Sequence, residues 1–191
     1  MGRAIRRADS NGRGPVKFLP TPLAGAFVVE LEPISDERGM FARTYCEREF
    51  AAHGIAFRTV QCNTSFNRSR DTLRGMHFQE GEAAEERLVR CTSGAIYDVI
   101  ADLRPDSSTR LKWFAAELSA ENRRMLFVPK GFAHGFKTLA EGCEVFYQMS
   151  SAYDAAAVRG VRWNDPALGI RWPGGEPILS ARDRSYPDFS P

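Results

Sequence analysis

Two of the three histidines in this chain lie in short motifs that could move a proton. His77 belongs to residues 73–79 (LRGMHFQ) and His134 to residues 129–136 (PKGFAHGF), both with glycine and aromatic neighbours. An imidazole changes its protonation near neutral pH, so either histidine could act as a general base or acid. Taken alone, each is also compatible with a hydrogen-bonded histidine packed in a strand.

Two other side chains could complete such chemistry. Tyr147 ends the run of residues 144–147 (EVFY), and Asp183 lies in residues 179–183 (LSARD) near the C-terminus. A carboxylate that hydrogen bonds to a histidine fixes its tautomer and raises its basicity. On their own, a tyrosine in a strand is usually a core residue and a lone aspartate is usually on the surface.

Arg38 and Arg74 are candidate phosphate ligands, because a guanidinium presents a planar pair of donors to phosphate oxygens. Each could equally be a solvated surface arginine. Strict strand alternation places Arg74 and His77 on opposite faces. A bulge or kink at Gly75 would bring them together.

A metal site is the alternative use of these histidines. A metal-binding jelly roll of the cupin type shows H-x-H, a following glutamate and a later histidine, but here His77 is followed by Phe78 and Gln79. The two histidines with Glu80 or Glu82 would make an incomplete set. We therefore predict no metal site.

The elements that must position these residues are short strands separated by turn residues. We predict an all-β jelly-roll sandwich or barrel, whose inward-facing side chains can line a ligand cavity. A hairpin is expected at Ser93-Gly94, a helix over residues 47–52 ended by Gly54, and one short helix in the C-terminal third. The predicted strands are residues 26–31, 40–45, 59–65, 72–78, 88–91, 95–103, 112–118, 125–128, 133–139 and 144–150.

Length and composition indicate one domain. We assign residues 1–20 to a basic, flexible tail and residues 21–191 to a single jelly-roll domain. The net charge of +2 is too small to indicate nucleic acid as a partner, and no apolar run is long enough to predict a membrane span. The four widely spaced cysteines form no C-x-x-C pair and predict free thiols in the cytoplasm.

Several blocks of the chain, in order, resemble motifs of the dTDP-4-dehydrorhamnose 3,5-epimerase family. The resemblance runs from about Phe27 to Pro187. The matching blocks are residues 36–41 (DERGMF), 61–63 (QCN), 73–79 (LRGMHFQ), 88–90 (LVR), 98–104 (DVIADLR), 129–136 (PKGFAHGF), 163–166 (WNDP), 172–173 (WP) and 179–183 (LSARD).

This resemblance implies a metal-free, cofactor-free homodimer with a cupin-type jelly roll, acting on a nucleoside-diphosphate 4-keto sugar. It assigns His77 as the base, Asp183 as its carboxylate partner and Tyr147 as the acid on the opposite face. The remaining matched positions are expected to line the substrate or hold the diphosphate. They are Arg38, Phe41, Gln61, Asn63, Arg74 and His134.

The chain departs from the family pattern at three positions. Arg87 stands where a lysine that can stabilise the enolate is usual, and arginine keeps the charge but cannot donate a proton near neutral pH. Arg43 replaces a common glutamate, and Gln148 a common lysine.

These departures leave several functions open. The leading expectation is an epimerase acting at C3, C5 or both. The alternatives are a mono-epimerase or isomerase of another nucleotide sugar (GDP- or CDP-linked), or an inactive sugar-nucleotide-binding cupin. A metal-dependent dioxygenase fits the residues less well.

Overall fold

The computed structural model of the chain describes residues 16–189, and almost all regular structure in that range is β-strand. Two short helices, α1 (Glu47–Ala51) and α2 (Ala181–Arg184), flank the sheets. The strands are β1 (Lys17–Pro20), β2 (Phe27–Glu30), β3 (Ile34–Asp36), β4 (Gly39–Phe41), β5 (Gln61–Asn67), β6 (Leu73–Gln79), β7 (Arg87–Ser93), β8 (Ala95–Asp102), β9 (Trp113–Ser119), β10 (Met125–Val128), β11 (Phe132–Thr138), β12 (Cys143–Met149) and β13 (Val158–Gly160).

Eleven of the described strands form two antiparallel sheets of a jelly roll, and β3 and β4 pair with each other as a separate hairpin. The six-stranded sheet has the order β1-β2-β10-β7-β12-β5, and the five-stranded sheet has the order β13-β6-β11-β8-β9. The main core lies between them, because alternate side chains of both sheets point inward. It includes Val89, Leu126 and Val145 from one sheet and Ile96, Ile100 and Phe136 from the other.

The outer faces of both sheets are also covered. A cluster with Phe50 of α1, Phe57 and Phe127 packs on the six-stranded sheet. On the five-stranded sheet, Val161 and Leu168 from the C-terminal segment pack against Met76. The C-terminal segment is therefore part of the packed structure, which matters because it carries Asp183.

The predicted all-β jelly roll is confirmed, and every predicted strand overlaps an observed one. The strand expected at residues 40–45 ends early, at Phe41. The short strands β1, β3 and β13 were not predicted, since three or four residues carry too little alternation to identify a strand. Residues 17–20, assigned to the tail, instead pair with β2. The rest of that predicted tail, residues 1–15, lies outside the described residues.

The predicted hairpin at Ser93-Gly94 is wrong. β7 pairs with β10 and β12, whereas β8 pairs with β11 and β9. The chain therefore crosses from one sheet to the other at this turn. Gly94 has a φ of +74°, and a Cβ there would lie 2.6 Å from the Cys143 Sγ. Two strands separated by a glycine can form either a corner between sheets or a hairpin, and the sequence pattern is the same for both.

A buried lysine ties the C-terminal segment to the five-stranded sheet. The Nζ of Lys137 on β11 donates to the carbonyl oxygens of Pro173 (2.8 Å) and Gly175 (2.5 Å). It also lies 3.0 Å from Oδ1 of Asp71. A little further on, Ile178 forms a parallel bridge with Thr72, just before β6. These contacts bring the following residues, including α2, to the edge of β6.

None of the helices within residues 16–189 has the length and apolar character needed to cross a membrane.

Candidate functional site

A cavity of about 750 Å³ opens between the two sheets. Strands β6 and β11 supply one wall, strands β5, β7 and β12 the other, and the C-terminal segment closes one side. The lining includes most of the charged and polar side chains that the sequence singled out. They are Arg74, His77, Arg87, His134, Tyr147 and Asp183, joined by Thr64, Ser65, Ser180 and Arg182.

His77 and Asp183 form a hydrogen-bonded pair at this cavity. The Nε2 of His77 lies 2.6 Å from Oδ1 of Asp183. The histidine side chain is 31% exposed and the aspartate side chain 6%. Ser180, the N-cap of α2, accepts a hydrogen bond from the Asp183 backbone N–H (3.0 Å), which fixes the first turn of that helix. The predicted partnership across more than a hundred residues is therefore present as a direct contact.

The Asp183 carboxyl stays ionised for identifiable reasons. Burial alone would raise its pKa, but the hydrogen bond and charge of His77 and the donors of Gly75 and Ser180 together hold the pKa below the usual value. An ionised Asp183 accepts from the Nε2–H of His77, so in the neutral form of the ring Nδ1 is the nitrogen that can accept. His77 is thereby prepared to accept a proton.

A bulge at Gly75 brings Arg74 and His77 to the same cavity. On β11, His134 pairs with His77 and Phe136 with Arg74, so three steps along β6 match two along β11. The backbones are close enough that a Cβ on Gly75 would lie 2.6 Å from the Gly135 Cα. Gly75 has a φ of +125°, which also favours glycine. The kink predicted at this position is confirmed.

A second histidine–aspartate pair lies beside the first. The Nε2 of His134 is 2.8 Å from Oδ1 of Asp98, and Nη1 of Arg87 is 3.2 Å from the His134 Nδ1. Because a guanidinium has only donors, Nδ1 must accept and Nε2 must carry the hydrogen. His134 is therefore held as the neutral imidazole, with both nitrogens engaged.

Arg87 is held from its other side by Glu85. The Nε of Arg87 donates to Oε1 of Glu85 (2.8 Å), and Nη2 of Arg87 contacts the same oxygen. The exposed fractions are 12% for the arginine side chain and 2% for the glutamate side chain. A largely buried, charge-paired cation thus lies at the cavity wall, where it can stabilise negative charge on a ligand.

Tyr147 faces the cavity from the opposite wall. It lies on β12 of the six-stranded sheet, whereas His77 lies on β6 of the five-stranded sheet. A base and an acid that line one cavity from two sheets can act on opposite faces of a bound ligand.

A second cavity of about 510 Å³ adjoins the first, because His77, Arg87, Tyr147 and Arg182 line both. Gln61 and Asn63 belong to this second cavity. The Nε2 of Gln61 donates to Oδ1 of Asn63 (2.9 Å), which orients both amides. A ligand at this junction would therefore contact His77, Arg87 and Tyr147 together.

Arg38 and Phe41 lie away from these cavities. Both belong to the β3–β4 hairpin, where the Arg38 side chain is 84% exposed and pairs with Asp36 (2.5 Å). Phe41 is 52% exposed. The structure does not bring these two predicted site residues to the cavity of their own chain.

Sequence reasoning missed Glu85, Asp98, Ser180 and Arg182. A signal existed for Asp98, because a carboxylate within an apolar strand must be buried with a partner. Glu85 stands two residues before Arg87, so an extended chain directs both side chains to one side. The other two had no signal beyond their nearness to Asp183. Within residues 16–189, no three His, Cys, Asp or Glu side chains come together in a way that could hold a metal ion.

Comparison with known proteins identifies relatives over most of the chain. A sequence model of the dTDP-4-dehydrorhamnose 3,5-epimerase family matches residues 20–191. The dTDP-4-dehydrorhamnose 3,5-epimerase of Methanothermobacter thermautotrophicus is 42% identical over 173 residues, covering 89% of this chain and 92% of that protein.

Solved structures of similar proteins have the same fold. The Bacillus anthracis dTDP-4-dehydrorhamnose 3,5-epimerase, with TDP and PPi bound, has a TM-score of 0.88 at 42% identity, covering 91% of this chain and 99% of that one. The Legionella pneumophila epimerase in complex with dTDP-4-keto-L-rhamnose has a TM-score of 0.84 at 33% identity, covering 90% and 91%. The resemblance found in the sequence motifs is confirmed, and this chain belongs to the dTDP-4-dehydrorhamnose 3,5-epimerase family.

Proposed function

We propose that this protein epimerises a dTDP-linked 4-keto-6-deoxy sugar by removing and returning protons at C3, C5 or both. The observation that carries this proposal is the His77–Asp183 pair, which lines the same cavity as Tyr147 from the opposite sheet. Family membership supports the class of substrate, since the similar structures hold TDP or a dTDP-keto sugar.

The proposed reaction begins with proton removal. The C4 ketone acidifies the neighbouring C–H bonds, and the Nδ1 of His77 takes the proton while Asp183 stabilises the resulting imidazolium. The electron pair of the broken C–H bond moves onto the C4 oxygen and forms an enolate. Arg87 stabilises that negative charge without transferring a proton.

Inversion follows when the proton returns from the other side. The hydroxyl of Tyr147 protonates the same carbon on its opposite face and the enolate returns to the ketone. The phenolate then regains a proton from solvent, and the His77 imidazolium releases one to solvent. His134 contributes by accepting from Arg87 rather than by exchanging a proton with the sugar, because both of its ring nitrogens are engaged.

The nucleotide half of the substrate is assigned to the charged and amide side chains at the cavity walls. Arg74, whose Nε donates to Oδ1 of Asn67 (2.7 Å), is proposed to bind the diphosphate. Gln61 and Asn63 are proposed to bind through their amides in the second cavity. Neither a cofactor nor a metal ion enters the proposed reaction.

The β3–β4 hairpin supports a homodimer in which each chain contributes to its partner's site. Ile34, Met40 and Phe41 are all more than two-fifths exposed on this hairpin, an apolar surface suited to association. In such a dimer Arg38 and Phe41 would reach the partner's cavity. The oligomeric state is measured by light scattering.

Mixing two inactive variants tests the shared site. Arg38→Ala and His77→Ala chains, unfolded and refolded together, would form mixed dimers in which one cavity has both residues intact. Random pairing predicts recovery of about a quarter of the wild-type activity. No recovery from a mixture that has formed mixed dimers would contradict the shared site.

The free thiols support a cytoplasmic location. Cys46, Cys62, Cys91 and Cys143 are all unpaired, as is usual in a reducing compartment. Burial raises the pKa of Cys91 to about 12, so its thiol is unreactive and serves as a core residue.

The decisive experiment is proton exchange in D2O with dTDP-4-keto-6-deoxyglucose, followed at C3 and C5 by NMR. Deuterium at both carbons is expected of a 3,5-epimerase, and deuterium at one carbon identifies a mono-epimerase. Tyr147→Phe should exchange deuterium without efficient inversion, since the base remains and the acid is lost. Absence of exchange with this substrate and with GDP- and CDP-linked analogues would overturn the proposal.

A further inference from the structure

Three of the five N–H bonds of Arg87 already contact acceptors within the protein. Its Nε and Nη2 both contact Oε1 of Glu85, and its Nη1 contacts Nδ1 of His134. One N–H remains on each terminal nitrogen. Since Arg87 lines both cavities, those two bonds are the ones left for a ligand.

Glu85 fixes both the orientation and the charge of this group. Its side chain is only 2% exposed, so its carboxylate depends on Arg87 for compensation. Glu85 precedes β7 and Arg87 begins it, so the two side chains extend from one short, strand-anchored stretch. The guanidinium cannot rotate without separating a buried ion pair.

We propose that Glu85 is a positioning residue for the epimerisation, which aims the two remaining N–H bonds of Arg87 at the C4 oxygen of the sugar. This inference rests on the proposed function and deepens it. It explains how an arginine can work where relatives usually have a lysine, because the carboxylate and His134 convert a flexible cation into an oriented pair of donors.

A lysine at position 87 would not provide an oriented pair of donors in this protein. An ammonium is a single point of charge, and beside Glu85 it would be drawn to that carboxylate and away from the ligand. Replacing Glu85 with glutamine as well would remove this competitor. The two positions are therefore expected to be coupled, and the double variant should be more active than Arg87→Lys alone.

The test compares Glu85→Gln, Arg87→Lys and the double variant, with Glu86→Gln as the matched control. Glu86 is the adjacent glutamate but does not line either cavity. For Glu85→Gln we expect kcat to fall about 10- to 100-fold with KM changed far less, because the orienting bond is a charge-assisted hydrogen bond. For Glu86→Gln we expect wild-type kinetics.

In the double variant we expect about tenfold more activity than in Arg87→Lys. Strictly additive losses, or a kcat for Glu85→Gln equal to that of Glu86→Gln, would overturn the inference. If Glu85→Gln does not fold, Glu85→Asp, which withdraws the carboxylate by one methylene, is expected to show the same selective loss of kcat.

A measurement without substrate separates this inference from the proposed function. The ring ¹⁵N shifts of His134 should show an accepting Nδ1 in the wild type and a weakened contact in Glu85→Gln. Unchanged shifts would contradict the positioning role, whatever the substrate is. Absence of exchange in the wild type, by contrast, would overturn the proposed function and leave intact only the positioning of Arg87 by Glu85.

Discussion

The two histidine–aspartate pairs of this site have the same chemistry but different surroundings. His77 and His134 are direct neighbours on adjacent strands, and each places Nε2 on an aspartate oxygen, at 2.6 and 2.8 Å. The His77 side chain is 31% exposed, whereas that of His134 is 7% exposed and accepts from Arg87. A histidine–carboxylate contact therefore does not by itself define a base. The role of each histidine depends on whether its second ring nitrogen, Nδ1, already accepts a hydrogen bond.

The aspartates also differ in how they reach their histidines. Asp98 lies on β8, which pairs directly with β11 and needs nothing beyond the sheet register. Asp183 arrives on a segment that leaves the sheets after β13 and returns to the edge of β6. One pair is built into the sheet, and the other depends on how a non-sheet segment docks.

The sharpest test of this comparison is to remove His77. His77→Ala should lower the rate of exchange about 10²–10⁴-fold, because the general base is lost. His53→Ala is the control, since His53 stacks on Phe18 outside the cavity. NMR exchange in D2O measures both, and substantial residual exchange in His77→Ala would show that another group is the base.

Asp183→Asn tests the partner of the proposed base. We expect a loss of about 10- to 100-fold in kcat, because an amide cannot stabilise the imidazolium. Since the pKa of Asp183 lies below its usual value in the folded protein, this carboxylate stabilises the fold above about pH 4, and the contribution disappears as the pH falls through the folded value. Thermal melts of wild type and variant should therefore converge in acid.

Asp98→Asn tests the buried pair, and we expect a smaller loss of activity, about tenfold or less. The amide can still accept from the His134 Nε2–H, so the tautomer is retained while the negative charge is lost. Melting curves and kcat measure the two effects. A loss as large as that of Asp183→Asn would remove the distinction between the pairs.

Lys137→Met tests whether the C-terminal segment needs the contacts of Lys137 to stay packed on the five-stranded sheet. The lysine side chain is 1% exposed and serves two carbonyl oxygens and Asp71. We expect stability to fall by about 1–3 kcal/mol, with activity changed less than in the His77, Asp183 and Asp98 variants. Hydrogen exchange should increase in residues 173–183 but not in β8. Uniform loss of protection would indicate that the segment does not open separately.

Features set by neighbouring residues in the sequence were predicted better than contacts between residues that are distant in the sequence. Ten of the described strands and the kink at Gly75 follow from local alternation and glycine, and were predicted, but β1, β3 and β13 were not. The corner at Gly94 was mistaken for a hairpin, because local pattern does not say which strand will be the neighbour. His77, Asp183 and Tyr147 were assigned through family resemblance, while Glu85 and Asp98 were missed because their roles exist only through Arg87 and His134.

The late position of Asp183 in the chain has a consequence for how the site is made. Every strand in the described part of the chain precedes it, so a ribosome has synthesised both sheets before the carboxylate emerges. The cavity can form its walls earlier, but the His77 pair cannot form until residue 183 has been added and has docked. A nascent or prematurely terminated chain could then fold both sheets without forming the His77–Asp183 pair. Activity would therefore indicate that synthesis is complete, and not only that the sheets have formed.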